Sequence, residues 1–130
     1  SDGTRSDYFQ VDSVKDTFQM KGRMISNFAK TMLSDSINKI LLDNNLSGDD
    51  IKLVVPHQPN IKVLKEISKN IGISFDKFEV CLNFLGNIAG ASIPIALDIA
   101  IRKNKIQEKD LILFSAVGSG MTWGNVIMGV

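Results

Sequence analysis

Apolar side chains recur at three- and four-residue intervals from about Gly22 to Asn45. This spacing places them on one face of a helix of several turns, which the polar turn Leu46–Asp50 ends. The members of this stripe are Met24, Ile25, Phe28, Ala29, Met32, Leu33, Ile37, Ile40 and Leu41. Upstream, residues 1–7 have the pattern of a disordered lead, and the loop after them is expected to hold one short strand near Thr17–Met20.

The middle of the chain has the pattern of a strand, a helix and a second strand. Ile51–Val55 is a short β-branched run closed by a proline, which indicates a strand. Ile61–Ile71 has helical spacing, and Asn60 and Gly72 are suited to begin and end that helix. Phe78–Phe84 alternates apolar and polar side chains, which predicts another strand.

The last third of the chain predicts a helix followed by a pair of strands. A segment of mostly small side chains, 88–92, leads into an expected helix over Ile93–Arg102. Leu111–Val117 is continuously apolar, as in a strand that is covered on both faces. After a Gly-Ser-Gly turn, Thr122–Val130 returns as the final strand. The order predicts an α/β fold with a mixed, mostly parallel sheet, helices packed on it and a terminal antiparallel hairpin.

The composition of the 130 residues is that of an ordinary globular domain, with 44% hydrophobic and 22% charged residues. A formal net charge of +1 implies no bulk attraction to nucleic acid or to a membrane surface. No apolar run approaches the roughly 20 residues that span a bilayer, and no signal peptide is recognisable, so we expect a cytoplasmic protein. The first residue is not methionine, which is consistent with a segment of a longer protein.

Polar side chains follow two successive predicted strands. His57 follows the first strand between two prolines, and Asn87 follows the second in a Gly-Asn pair. Carboxyl ends of neighbouring parallel strands meet at one rim of a sheet, where open α/β folds place their chemistry. There His57 could simply close a strand, donate through Nε2 or act as a general base. Asn87 could form a turn only, or it could donate with His57 and the N–H groups of Gly118–Gly120 to one oxyanion.

Two further features have both a structural and a chemical interpretation. Cys81 is expected in mid-strand, where its thiol cannot reach the rim, so we interpret it as structural rather than as a nucleophile. One cysteine and one histidine also supply too few ligands for a metal site. Lys62, Lys65 and Lys69 lie opposite the apolar side of the helix after His57. They form either a solvated face or a binding surface for an acidic partner or a phosphate.

Four stretches of the chain together resemble one protein family. They are Phe18–Gly22, Val55–Asn60, Gly86–Pro94 and Gly118–Gly124. In order and spacing they are similar to the carboxyl-terminal half of β-ketoacyl-acyl carrier protein synthase III (3-oxoacyl-acyl carrier protein synthase III). The resemblance implies a leader or loop over residues 1–16 and a carboxyl-terminal domain over residues 17–130. The implied architecture is the carboxyl-terminal half of a thiolase fold.

The function that this resemblance implies is the initiating condensation of bacterial fatty acid synthesis. A cysteine in the amino-terminal half takes an acyl group from acyl-CoA. Malonyl-acyl carrier protein then loses CO2, and the resulting carbanion attacks the thioester. His57 and Asn87 match the family's catalytic pair, which hydrogen-bonds the malonyl thioester carbonyl and stabilises the enolate. The mapping makes His57 a neutral donor rather than a base, and it implies no cofactor or metal beyond the two substrates.

The same resemblance implies roles for residues around the catalytic pair. Asn60 would lie near the pantetheine arm of the substrate. Lys62 would meet the carrier protein or the CoA phosphate, with Lys65 and Lys69 on the same face. Ser119 stands where a glycine N–H helps to hold the first oxyanion. The expected partners are therefore acyl carrier protein, acyl-CoA, the missing amino-terminal half of the enzyme and a second copy of the full-length protein in a homodimer.

Several residues depart from the family's pattern. Val117 and Met121 stand where the family usually has aromatic residues that line the acyl pocket or shape the site, so the size of the substrate is open. Ile88 replaces a usual threonine, and Pro59 replaces a small residue. None of these changes removes a catalytic side chain. They motivate one alternative function, a related acyltransferase with an altered acceptor or starter, while the lysine face motivates another, a carrier-protein-binding module without catalysis.

The resemblance also implies that parts of the enzyme are missing from this chain. No cysteine here matches the nucleophile, so we expect the chain alone to be inactive. The first strand of the family's carboxyl-terminal half is also absent, and we expect its place to be in mid-sheet, between the His57 strand and the final pair. We therefore predict a gap in the sheet, filled or covered by Tyr8–Met20 or by another copy of the chain.

Overall fold

The computed structural model describes residues 1–15 and 17–130, so the predicted leader boundary at residue 16 lies outside the described residues. Its strands and longer helices are β1 (Phe9–Asp12), β2 (Thr17–Met20), α1 (Gly22–Asp43), β3 (Ile51–Pro56), α2 (Ile61–Ile71), α3 (Leu82–Leu85), α4 (Ser92–Arg102), β4 (Leu111–Gly118) and β5 (Thr122–Gly129). Short 3-10 helices cover Gly3–Tyr8, Phe75–Lys77 and Ala89–Ala91.

The main sheet has three strands in the order β3-β4-β5. β3 and β4 run parallel, with Val54 opposite Leu113, whereas β4 and β5 form an antiparallel hairpin, with Phe114 opposite Val126. The continuous apolar run of β4 fits its central place, because both of its edges are paired and both of its faces are covered. The predicted α/β class, with a mixed sheet and a terminal antiparallel strand pair, is confirmed.

Helices cover the two faces of this sheet. α1 and α2 pack on one face through a cluster that includes Ile37 and Ile67, which meet Val54 and Leu113 from the strands. α4 packs on the other face, where Ala96 and Ala100 are fully buried against the strands. Alanine on α4 lets the helix axis lie close to the sheet, since there is little side chain between them.

The ends of α2 are set by two residues that were predicted from the sequence. The Asn60 side chain accepts a hydrogen bond from the Val63 N–H at 2.9 Å, which satisfies one of the free donors at the helix start. Gly72 follows the last turn with φ +67°, a left-handed conformation that glycine adopts without a steric penalty. α2 therefore begins directly after the His57 loop and holds that loop against the sheet.

The predicted strand over Phe78–Phe84 is wrong. Only Phe78 forms a bridge, to Val54, and Glu79 adds one backbone bond from its N–H to the Val54 carbonyl at 2.9 Å. The chain then turns at Cys81 into the helical turn α3. The polar side chain of Glu79 is itself buried, at 2% exposure, and its carboxylate pairs with Lys105 at 2.6 Å.

The predicted gap in the sheet is also wrong. β3 pairs directly with β4 along its length, from Ile51 opposite Leu111 to Pro56 opposite Ser115, so no strand can lie between them. β1 and β2 do not fill a place in this sheet, because they pair with each other as a separate hairpin. The strand predicted near Thr17–Met20 is present as β2, whereas β1 was not foreseen.

The amino-terminal residues are more ordered than the sequence suggested. Two backbone hydrogen bonds join Asp2 to Met121, at 2.8 and 3.0 Å, and so tie the start of the chain to the β4–β5 turn. Tyr8 is buried, with its ring edge-on to Phe28 of α1. The expectation of a disordered lead over residues 1–7 is therefore wrong. Among the described residues, no helix is both long and apolar enough to cross a membrane.

Candidate active site

A cavity of about 460 Å³ opens where the carboxyl ends of β3 and β4 meet. Its walls come from several separate parts of the chain: the β1–β2 hairpin, the start of α1, the His57 loop, residues 87–93 and the β4–β5 turn. His57, Asn87, Val117, Ser119 and Met121 all line it. The structure thus brings five of the sequence-predicted residues to one concave, largely apolar site.

Two hydrogen bonds hold His57, one at its backbone N–H and one at a ring nitrogen. Its N–H donates to the Ser115 carbonyl at 2.7 Å, which continues the β3–β4 pairing by one residue. Nδ1 lies 3.0 Å from the Ser92 hydroxyl oxygen, and that hydroxyl lies 2.7 Å from the Ala89 carbonyl oxygen. Burial lowers the pKa of His57, with a smaller opposing effect from the Ala89 backbone. The imidazole is therefore favoured in its neutral form.

The Ser92 hydroxyl determines what the second ring nitrogen of His57 can do. A hydroxyl has one proton to donate. When Ser92 donates it to Ala89, Nδ1–H must donate to Ser92, and Nε2 is left as an acceptor. When Ser92 turns the proton to Nδ1, Nε2 carries a proton and is a donor. The Ala89 carbonyl accepts a hydrogen bond in both arrangements, because the Ser92 backbone N–H also donates to it.

Asn87 is oriented by a hydrogen bond within its own loop. Its side-chain oxygen Oδ1 accepts from the Ala89 N–H at 3.0 Å. With Oδ1 bonded in this way, the Nδ2 group still has two N–H donors for other partners, and Asn87 lines the cavity. The preceding Gly86 has φ +70°, which lets the chain turn sharply from α3 into this loop.

The β4–β5 turn forms the remaining wall of the cavity. Gly118 and Ser119 are exposed there, whereas Met121 is 1% exposed and fixes the turn from inside. A hairpin turn was one of the interpretations of this Gly-Ser-Gly segment, and its place beside His57 keeps its backbone groups close to the site.

Comparison with known proteins identifies the family. A family model described as "3-Oxoacyl-[acyl-carrier-protein (ACP)] synthase III C terminal" matches residues 41–130. The chain belongs to this family. This match confirms the resemblance that was stated from the four sequence stretches. It also confirms that the matching region is the carboxyl-terminal part of a synthase III.

Curated relatives and solved structures agree with this assignment. The chain is 36% identical over 124 residues to the beta-ketoacyl-[acyl-carrier-protein] synthase III of Staphylococcus aureus (strain Newman), a match that covers 95% of this chain and 40% of the relative. It superposes on the 3-oxoacyl-[acyl-carrier-protein] synthase III of Aquifex aeolicus VF5 with a TM-score of 0.95 at 31% identity, covering 100% of this chain and 42% of that one. The synthase III of Pseudomonas aeruginosa PAO1 gives 0.92 at 27% identity, covering 99% and 41%.

The coverage differs greatly between this chain and its relatives. Nearly all of this chain is matched, yet it spans only about two fifths of the length of each relative. The fold of the synthase III carboxyl-terminal part is therefore shared, and the match leaves about three fifths of each relative uncovered.

The other residues to which the resemblance gave roles lie outside the cavity wall. Asn60 caps α2. Lys62, Lys65 and Lys69 are exposed on the outer face of α2, and the Lys65 ammonium lies over the Phe75 ring, 5.6 Å from its centroid. Their spacing places these lysines in a row along α2 that starts in its first turn, directly after the His57 loop.

Cys81 does not reach the cavity, although the reason differs from the predicted one. It is not in mid-strand but at the start of α3, where it is fully buried. Burial raises the pKa of its thiol, which disfavours the thiolate that nucleophilic chemistry needs. Within residues 1–15 and 17–130, no group of three or more His, Cys, Asp or Glu side chains is placed to hold a metal ion.

Sequence reasoning missed one wall of the cavity and one partner of His57. The missed wall comes from β1, β2 and α1, through Phe9, Met20, Ile25, Ser26 and Ala29. The missed partner is Ser92, which is 1% exposed. The sequence signal for Ser92 was its position in the small-residue segment 88–92, at the start of a helix. A polar side chain that is buried there needs a hydrogen-bond partner.

Proposed function

We propose that the chain is the carboxyl-terminal catalytic half of an initiating condensing enzyme of fatty acid biosynthesis. The reaction is the decarboxylative condensation of acyl-CoA with malonyl-acyl carrier protein. The observation that carries the proposal is the convergence of His57 and Asn87 on one cavity in a chain of the synthase III family. The names of the relatives, each a synthase III acting with acyl carrier protein, support the substrate class.

In the proposed reaction His57 and Asn87 stabilise the enolate of the malonyl thioester. The bond between the malonyl α-carbon and its carboxylate breaks, CO2 leaves, and the electron pair moves into an enolate whose charge rests on the thioester oxygen. Nε2–H of His57 and Nδ2–H of Asn87 donate to that oxygen. The α-carbon then attacks the enzyme-bound acyl thioester, forming the new C–C bond and releasing the cysteine thiolate. Donors already in position lower the barrier because they need no reorganisation as charge develops.

This role selects one of the two arrangements of Ser92. Donation from Nε2 by a neutral imidazole requires that Nδ1 accept a proton from the Ser92 hydroxyl. The geometry supports this, because Ser92 lies within hydrogen-bond distance of both Nδ1 and Ala89. Burial lowers the pKa of His57, which supports a neutral donor over an imidazolium.

The nucleophile belongs, in this proposal, to an amino-terminal half outside these 130 residues. The buried Cys81 has neither access to the cavity nor a lowered pKa. The chain alone would therefore transfer no acyl group. The complete enzyme would be a cytoplasmic homodimer that needs no cofactor beyond its two substrates.

The surrounding residues take the roles that the resemblance implies. Val117 and Met121 would form part of the wall of the acyl pocket. Ser119 would help to hold the first oxyanion through its backbone N–H. Asn60 would lie close to the pantetheine arm. The lysine row Lys62, Lys65 and Lys69 would attract the acidic carrier protein or the CoA phosphates.

The proposal is tested in the longer polypeptide that contains this chain. We expect His57→Ala and Asn87→Ala each to slow CO2 release from malonyl-acyl carrier protein by about 10²–10³-fold, the usual cost of removing one oxyanion donor. Asn38→Ala, an exposed asparagine on α1, is the matched control and should have no effect. Unchanged CO2 release in His57→Ala would overturn the condensing function and leave the altered acyltransferase or the binding module.

A further inference from the structure

The buried side chain of Gln58 joins the His57 loop to the chain at the start of α3, the helical turn that leads to Asn87. Gln58 is 0% exposed. Its Oε1 accepts from the N–H groups of Cys81 at 2.9 Å and Leu82 at 3.1 Å, and its Nε2 donates to the Glu79 carbonyl at 2.9 Å. The amide has one possible orientation, because a flip would place Nε2 against two donors and Oε1 against an acceptor.

We propose that Gln58 is a positioning residue that fixes the separation of the two oxyanion donors. This inference rests on the proposed function and deepens it, because it concerns how the same site is assembled. Gln58 follows His57 directly in the chain. Its three bonds reach Glu79 and Cys81 just before α3 and Leu82, the first residue of α3, and α3 leads through Gly86 to Asn87.

The position of the Asn87 loop depends on Gln58 because other connections to β3 are few. After Phe78 the chain leaves the sheet, and its backbone link to β3 is confined to Val54, while Cys81 packs in one apolar cluster with Leu53 and Val55. α3 also lacks a cap of its own, since Cys81 makes no side-chain capping bond. Gln58 Oε1 supplies that cap from another loop. In effect the Gln58 amide replaces the strand pairing that the sequence pattern predicted for Phe78–Phe84.

The consequence for catalysis follows from geometry. Two donors stabilise one oxygen only if both lie at hydrogen-bond distance from it at the same time. Without Gln58, the N–H groups of Cys81 and Leu82 lose their acceptor and α3 is free to shift, and Asn87 with it. A displacement of about 1 Å in such a site costs on the order of 10²-fold in rate.

The experiment compares two half-reactions in the longer polypeptide that contains the chain. Gln58→Met keeps the length and volume of the side chain but cannot form the three bonds. We expect it to slow CO2 release from malonyl-acyl carrier protein by about 10–100-fold. Acylation of the enzyme by acyl-CoA should be retained, because that step does not use the enolate site. The acylation titre also counts the folded molecules, so a variant that folds poorly is still measured per active site.

A second variant gives a pH dependence of CO2 release that a purely structural role of Gln58 would not produce. Gln58→Glu is isosteric with glutamine when its carboxyl is protonated, since it then has one O–H donor and one acceptor oxygen. CO2 release relative to wild type should therefore recover as the pH falls. Burial raises the pKa of a carboxyl and brings this recovery toward the accessible range.

Controls separate the failure of this inference from the failure of the proposed function. Ser68→Ala removes another buried bond, from Ser68 Oγ to the Ile73 carbonyl at 2.6 Å, remote from the cavity. It should leave the ratio of CO2 release to acylation unchanged. If His57→Ala loses CO2 release while Gln58→Met keeps the wild-type ratio, Gln58 is not a positioning residue and the proposed function stands. If His57→Ala also keeps that ratio, the proposed function itself is wrong.

Discussion

The single histidine of this chain sits in an environment that opposes its protonation. His57 is partly buried, and desolvation lowers its pKa below the ordinary value of about 6.5. In the unfolded chain the same ring is solvated and keeps its ordinary pKa. Below about pH 6.5 the unfolded state therefore binds more protons at this site than the folded state does. Folding is then disfavoured as the pH falls toward the folded-state pKa.

This linkage gives a measurable pH dependence of stability. Between about pH 7.5 and pH 5.5 the free energy of unfolding of wild type should fall more than that of His57→Gln, which has no proton to gain at this position. Chemical denaturation of both proteins at the two pH values measures the difference. NMR titration of the lone histidine reads the pKa directly. A pKa at or above about 6.5 would contradict the desolvation argument.

Asn60 has a structural role that must be separated from its proposed role at the pantetheine arm. Its side chain caps α2, so Asn60→Ala should lower the free energy of unfolding by about 1 kcal/mol. Asn60→Ser keeps a capping oxygen and should be nearly neutral in a denaturation experiment. In the longer polypeptide, a raised KM for malonyl-acyl carrier protein in Asn60→Ser would indicate substrate contact. An unchanged KM would leave only the cap.

At the scale of elements, most of the helices and strands were predictable because their signals are local. Periodicity, capping residues and turns predict the strand Ile51–Val55, the helix Ile61–Ile71 and the final hairpin. Phe78–Phe84 has an equally regular pattern and yet is not a strand. The N–H groups of Cys81 and Leu82 bond to the side chain of Gln58 instead of to a neighbouring strand. A side chain that lies more than twenty positions away in sequence leaves no trace in the local pattern.

Glu79 in this segment forms a buried ion pair that contributes to the stability of the fold. Its carboxylate is 3% exposed and pairs with Lys105 at 2.6 Å, with Lys103 farther off at 3.9 Å. Removing one partner of a buried ion pair leaves an uncompensated charge. The Lys105 side chain is 42% exposed, so water offsets part of that cost.

Lys105→Met should therefore lower the free energy of unfolding by about 1–3 kcal/mol, below the full cost of breaking a buried pair. Lys39→Met is the matched control. Its pair with Asp43 lies on the exposed surface of α1 and should contribute at most about 0.5 kcal/mol. Urea denaturation of the two variants tests the difference. Equal losses would mean that Glu79 is solvated in solution.

At the scale of the whole molecule, the rim of the sheet was predictable and the enclosure of the site was not. His57 and the Gly118–Gly120 turn follow β3 and β4, and the rule that parallel strands end at one edge brings them together. The opposite wall comes from β1, β2 and the start of α1, which reach the cavity through long-range packing. Two backbone bonds between Asp2 and Met121, one donated by each residue, hold the start of the chain to the β4–β5 turn. Neither contact has a periodic signal in the sequence.

The position of the unpaired sheet edge is the other whole-molecule result. The gap predicted between the His57 strand and the final pair is absent, because those strands are paired with each other. Among the described residues, β5 pairs with β4 alone, so its outer edge is open. Val126 and Met128 on β5 are also 58% and 38% exposed. An open edge beside apolar side chains promotes pairing with another chain.

The isolated 130-residue chain should therefore self-associate through β5 as its concentration rises. Val126→Lys places a charge on this strand, and edge charges oppose strand pairing. It should lower the association constant by at least about tenfold, or roughly 1.4 kcal/mol, with little change in the free energy of unfolding. Ile101→Lys, at an equally exposed position on α4, is the matched control and should associate like wild type. Sedimentation velocity over a concentration series distinguishes the outcomes.

Association that Val126→Lys does not weaken would place the contact on another surface. The next surface to mutate would then be the β1–β2 hairpin, because its side chains Val14 and Phe18 are 93% and 68% exposed.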